Sequence, residues 1–195
     1  MIKIGITGGI GSGKSTVCRI FQLLDIPVYN ADKEAKELMV NDIALKRNII
    51  DLLGSDSYIN DVLNKEFIAS KVFKNNKLLK KLNSLVHPAV KNDFTKWSKK
   101  QRAHYVIYEA ALMIESGTYK LLDKIIVVTA PLEQRIARVC ERDKVDKEKV
   151  LVRINNQLSQ EDMLKYADYM ITNDGKMSLI SQVLELHLLY NFVQN

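Results

Sequence analysis

Nine residues near the N-terminus, Gly8-Gly9-Ile10-Gly11-Ser12-Gly13-Lys14-Ser15-Thr16, follow the pattern of glycine, four residues, then Gly-Lys-Ser/Thr. Before them, Ile2, Ile4 and Ile6 alternate as on a buried strand; after them, Val17, Ile20, Phe21 and Leu24 recur at helical spacing. A strand, a glycine-rich turn and a helix in that order restrict the fold to α/β proteins that carry an anion on the helix N-terminus. Gly8, Gly11 and Gly13 let the backbone turn its N–H groups, with those of Ser12 and Thr16, into a nest for phosphate oxygens. Lys14 is expected to reach the terminal phosphates of a nucleotide, and the Ser15 hydroxyl to ligate Mg²⁺.

Further strands are expected at 26–29, 105–108, 124–129 and 169–172, apolar runs flanked by helical patterns. Helices are expected over 31–53 with an interruption near Asn41-Asp42, over 64–86, and again from Pro88 to 102, because proline suits a helix start. Others cover 131–142 and 150–158, one starts at Ser159, and one closes the chain over 177–193. Residues 54–60 read as a turn. Five strands alternating with helices indicate a parallel sheet covered on both faces. Residues 1–195 read as a single domain, with a helical insertion at about 33–102 and a smaller charged one at about 141–158.

Hydrophobic residues make up 47% of the chain and charged ones 27%, enough apolar material for a core and too much for a disordered chain. No apolar run approaches the ~18–20 residues of a membrane span, and the apolar start of the chain is too short for a signal peptide. Cys18 and Cys140, far apart, form no disulfide framework or metal pattern. A reduced, cytoplasmic protein that needs no membrane is the expectation. The 29 Lys and Arg against 23 Asp and Glu leave a net charge of +6. That field attracts polyanions, whether nucleic acid, membrane or phosphorylated small molecules, without choosing among them.

A phosphate loop establishes a nucleotide and leaves the reaction open. The base-reading Asn-Lys-x-Asp of GTPases is absent, and Tyr105–Tyr108 ends in Glu109 alone, unlike the acidic pair of motor and transport ATPases. A small domain with two helical, charged insertions suits a kinase of small molecules, one insertion holding the acceptor and the other closing as a lid. Asp32 follows the second strand at the sheet end where ligands bind. It reads either as the carboxylate that takes the acceptor's proton or as an N-cap for a helix beginning at Lys33. Arg135, Arg138 and Arg142, at i, i+3 and i+7, share one helix face, which is either solvated or turned to phosphate. His87 before Pro88 reads as a turn or cap residue.

These pieces, in this order, resemble the dephospho-coenzyme A kinase family. The resemblance rests on Ile4 to Val17, Asn30-Ala31-Asp32, Leu82-Asn83 with His87-Pro88, Glu115-Ser116-Gly117, Arg138 with Arg142-Asp143, Gln157, Ala167-Asp168-Tyr169 and Asn173-Asp174-Gly175. It implies a phosphate-loop fold of the nucleoside-monophosphate-kinase type, three layers around a five-stranded parallel sheet. It also implies a helical substrate-binding insertion, a lid, and transfer of the γ-phosphoryl group of ATP to the ribose 3′-hydroxyl of dephospho-coenzyme A with Mg²⁺. Asp32 would then be the base, and Lys14 and Arg142 would stabilise transferring charge. His87 and Arg138 would face the coenzyme, and Asn173 and Gly175 the adenine of ATP. The partners implied are these two small molecules rather than nucleic acid, with the chain a monomer or weak homo-oligomer. A kinase of another small acceptor, such as a nucleoside monophosphate, is the alternative. The chain departs from the family pattern at Asn30, where the family has aspartate, at Glu109, which opens its Asp-x-Pro-Leu-Leu-Phe-Glu tract, and at Lys65 and Lys91, where it has arginines.

Overall fold

The alternating isoleucines of the N-terminus form the central strand of a parallel sheet. A computed structural model describes residues 1–73 and 75–192. The strands β1 (Ile2–Thr7), β2 (Val28–Asn30), β5 (Tyr105–Glu109), β6 (Lys124–Thr129) and β7 (Tyr169–Thr172) line up in the order β2-β5-β1-β6-β7. Every pairing is parallel, with Ile6 opposite both Glu109 and Ile126, and Asn30 opposite Glu109. A short antiparallel hairpin joins β3 (Tyr58–Ile59) to β4 (Val62–Leu63). The helices are α1 (Lys14–Leu23), α2 (Ala31–Asn41), α3 (Ile43–Leu53), α4 (Lys65–Val72), α5 (Asn76–Lys99), α6 (Leu132–Asp143), α7 (Lys147–Asn155), α8 (Gln160–Leu164) and α9 (Leu179–Phe192).

The chain separates into two compact units, Met1–Asn30 with the chain from Gln101 onward, and Ala31–Lys100. The first unit holds the whole parallel sheet. Ile4, Ile6, Ile107, Ile126, Val128 and Ile171 pack with Val17, Phe21 and Val183 of α1 and α9 in a core from which water is excluded. Each such side chain contributes about 1.5–3 kcal/mol by burial, so the apolar strands have little choice but the middle of this unit. A smaller cluster joins α6 to α7 through Ile136, Val139 and Val150, and Ile10 of the glycine loop packs against it.

The second unit contains α2 to α5 and the hairpin, and its helix starts follow local chemistry. Asp42 caps α3 by accepting from the Leu45 N–H at 3.0 Å, Asn64 caps α4 through Phe67 at 3.2 Å, and Asn75 caps α5 through Leu78 at 3.0 Å. The break at Asn41-Asp42 is therefore where the sequence places it.

Four local expectations are corrected. The stretch 64–86 is not one helix but α4 followed by α5, with Asn75 capping the second, and the helix does not restart at Pro88: α5 runs unbroken from Asn76 to Lys99. An interior proline costs about 3 kcal/mol, but Leu82, Val86, Val90 and Phe94, spaced by four, are all buried on one stripe. Burial of four such side chains stabilises by about 6–12 kcal/mol and outweighs the lost bond. Residues 58–63 are a hairpin rather than a plain turn; Asn60 and Asp61, both with positive φ, form its two-residue loop. Finally, α7 begins at Lys147, not 150, with Asp146 ahead of it.

Candidate active site

The glycine loop leaves β1 at Thr7 and enters α1 at Lys14, at the carboxyl end of the sheet. Gly11 (φ 78°) and Gly13 (φ 98°) lie in left-handed backbone that other residues adopt at a cost. Space restricts them as well: a Cβ on Gly11 would overlap the Arg135 backbone, and one on Gly13 the Asn173 amide. Gly13 is also the residue ahead of α1, so the loop delivers its chain straight to a helix N-terminus. Lys14 Nζ donates to the Gly8 carbonyl at 2.7 Å and the Gly9 carbonyl at 3.3 Å, folded back along the loop it serves. Ser15 and Thr16 are exposed in the first turn of α1. Among the described residues no group of three His, Cys, Asp or Glu could cage a metal. A Mg²⁺ held by one hydroxyl, phosphate oxygens and water fits the donors present at Ser15.

Side chains from the far end of the first unit hold the loop from behind. Arg135, only 7% exposed, donates from Nε to the Ile10 carbonyl at 3.0 Å. Arg138 donates to the Gly11 carbonyl at 3.4 Å, to Gln134 Oε1 at 3.1 Å, and to the carbonyl and Oδ1 of Asn173 at 3.2 and 3.3 Å. Asn173 in turn donates from Nδ2 to the Ser12 carbonyl at 2.9 Å. Gln157 Oε1 accepts the Ile10 N–H at 2.8 Å, and Glu115 Oε1 accepts the neighbouring Leu158 N–H at 3.1 Å. The helix face bearing Arg135, Arg138 and Arg142 is thus split. Arg135 and Arg138 are committed to the loop, whereas the Arg142 side chain is 62% exposed.

Arg142 is held by Asp143, Nε at 2.7 Å and Nη2 at 3.1 Å, and Asp143 also accepts from Arg153 Nη1 of α7 at 2.6 Å. The bond from Arg142, then that from Arg153, brings the Asp143 carboxyl down to about 2. Asn173 and Gly175 sit just past β7; Gly175 has φ 81°, and the Asp174 carbonyl accepts from Gln134 at 2.9 Å. At the end of β5 the buried Glu109 accepts from Asn30 Nδ2 at 2.8 Å. An aspartate at position 30 could donate that bond only when protonated. Burial first, and then the nearby Glu109 carboxylate, push the Cys18 thiol far up.

Two site candidates belong to the second unit. Asp32 is exposed in the first turn of α2, which starts at Ala31, so it is inside the helix rather than its N-cap. His87 lies exposed within α5 rather than at a helix start, immediately before the interior Pro88. The part sequence reasoning missed is the support behind the loop. Arg135 was visible only as one member of an arginine face, and Gln157 only as a family position; burial and partners separate them.

A glycine loop of this geometry between the first strand and first helix of a five-stranded parallel sheet is the fold of the phosphate-loop kinases. The chain belongs to the dephospho-CoA kinase family, whose members phosphorylate dephospho-CoA with ATP in coenzyme A synthesis; the family's sequence profile matches residues 2–178. The dephospho-CoA kinase of Bacteroides fragilis is 39% identical over 186 residues, 95% of this chain and 91% of that protein. That of Porphyromonas gingivalis is 37% identical over 187 residues, 95% of this chain and 93% of its own. Among solved structures, TT1252 from Thermus thermophilus superposes with a TM-score of 0.87 at 31% identity, covering 96% of each chain. A shikimate kinase from Acinetobacter baumannii, at 18% identity and a TM-score of 0.58 over 97% of this chain and 92% of its own, shares the fold alone. Among the described residues no helix is long and apolar enough to cross a membrane.

Proposed function

We propose that this chain transfers the γ-phosphoryl group of ATP to the ribose 3′-hydroxyl of dephospho-CoA, releasing ADP and coenzyme A. The observation that carries the reading is the braced glycine loop in a chain of this family: its N–H groups and the α1 N-terminus suit a polyphosphate. In the reaction the 3′-oxygen forms a bond to the γ-phosphorus while the bond to the β,γ-bridging oxygen breaks. Asp32, an exposed carboxylate two residues past β2, takes the hydroxyl proton. Lys14 neutralises the charge that grows on the bridging oxygen, releasing the Gly8 and Gly9 carbonyls to do so. Arg142 adds its guanidinium to the transferring group, its planar fork now turned to Asp143 being the shape that grips phosphate oxygens. Ser15 would hold Mg²⁺, which supplies further neutralisation of the phosphates.

The remaining assignments rest on the family resemblance. Residues 141–158 act as a lid, the helical insertion with His87 takes the coenzyme, Arg138 contributes on the substrate side, and Asn173 and Gly175 border the adenine. The enzyme works in the cytoplasm as a monomer or weak homo-oligomer. The test is a coupled ADP-release assay comparing dephospho-CoA with adenosine, AMP and no acceptor. Turnover confined to dephospho-CoA is the expected result; turnover on AMP alone would replace the acceptor assignment.

A further inference from the structure

Three consecutive carbonyls of the glycine loop, those of Ile10, Gly11 and Ser12, accept hydrogen bonds from side chains of Arg135, Arg138 and Asn173. A trans peptide is planar, with its N–H directed opposite to its C=O. Tying the Ile10 carbonyl to Arg135 therefore turns the Gly11 N–H away from Arg135, and tying the Ser12 carbonyl to Asn173 turns the Gly13 N–H away from Asn173. Both glycines have positive φ, the backbone form in which successive N–H groups converge on an anion. The Ile10 N–H goes the other way, to Gln157. The Ile10 side chain is fixed too, against the α6–α7 cluster.

We infer that Arg135 and Asn173 are positioning residues for phosphoryl transfer: by holding the Ile10 and Ser12 carbonyls they aim the Gly11 and Gly13 N–H groups at the phosphates of ATP. The inference rests on the reading of the loop as an ATP site and deepens it. It gives Asn173 a task at the phosphates, separate from the adenine border proposed above. It also makes Arg135 part of the nucleotide machinery, although it touches no reacting atom. A loop lacking either tie keeps its sequence but samples flipped peptides, which present a carbonyl oxygen to phosphate where an N–H should be.

The test measures tripolyphosphate, ATP and adenosine binding by calorimetry and competition, for the wild-type chain and for Asn173→Ala, Arg135→Lys and Arg135→Met. Asn173 is partly exposed, so Asn173→Ala is expected to fold even if Arg135→Met does not. Tripolyphosphate and ATP affinities should fall together, about tenfold for Asn173→Ala and about 10–100-fold for Arg135→Met, the scale of a neutral and a charged hydrogen bond. Adenosine affinity should stay within about twofold for the Arg135 variants, and the KM for ATP should rise without a matching rise for the acceptor. Arg135→Lys keeps the charge but not the direction of Nε, and should recover only part of the loss. Folded variants that bind tripolyphosphate as the wild type does would overturn the inference. So would a loss confined to adenosine, which would make Asn173 a base contact only. A wild-type chain that binds no ATP would instead remove the reading beneath it.

Discussion

Replacing Asp32 by asparagine separates chemistry from folding more cleanly in this structure than the sequence suggests. An N-cap aspartate contributes about 0.5–2 kcal/mol, enough to confuse loss of activity with loss of protein. Asp32, however, is one residue inside α2 and exposed, so its structural contribution is the attraction of a carboxylate to a helix N-terminus. That is about 0.3–1 kcal/mol, which for a chain of this size moves the melting temperature by about 1–4 °C. The expected loss in turnover is about 10²–10⁴-fold, the range of base catalysis, or about 2.7–5.5 kcal/mol of barrier. The two effects differ severalfold in energy and are read by different instruments. Steady-state kinetics with dephospho-CoA, thermal melting and ATP calorimetry on the same preparation should show turnover down at least a hundredfold, ATP affinity near wild type and a small shift in melting. Wild-type turnover in a protein that melts several degrees lower would refute the base assignment and leave Asp32 a helix residue.

Lys14→Ala should lower kcat about 10²–10³-fold, the scale of one oriented electrostatic donor, in single-turnover assays on protein with native circular dichroism. Arg142→Lys, which loses the bidentate fork, should lower kcat with a smaller change in the dissociation constant for ATP alone, and Arg142→Ala should lower it further; equal, negligible effects would mean Arg142 only serves Asp143. Arg135→Ala, whose guanidinium is buried against the loop, should lower the melting temperature as well as activity, unlike Arg142→Ala; equal melting temperatures would contradict its burial. The Asp143 carboxyl should titrate near 2 when followed by its carbonyl carbon shift, held down by Arg142 and Arg153. The stability it adds is complete above the ordinary carboxylate value of about 3.9 and is lost as pH falls toward 2; a midpoint near 3.9 would mean the pair does not persist in solution.

Local pattern was enough for much of this molecule. The five strands, the α2–α3 break at Asp42 and the strand–glycine loop–helix are properties of short segments. In each, side-chain period, a capping aspartate or the conformational freedom of glycine leaves few alternatives. The positions of Lys14 and Ser15 at the start of α1 were legible for the same reason, since the loop places them by covalent connection alone. Tertiary structure decided what depends on a distant neighbour. Pro88 reads locally as a helix start, yet burial of Leu82, Val86, Val90 and Phe94 carries α5 through it. Arg135, Arg138 and Arg142 are equivalent by spacing and become a buried brace, a link to Asn173 and an exposed partner of Asp143, because only packing determines which carbonyls each arginine meets. Asn173, 161 residues from Ser12, could not be assigned to the loop from any window of sequence. Its hydrogen bond exists because β7 and β1 flank β6 in one sheet and end on the same side.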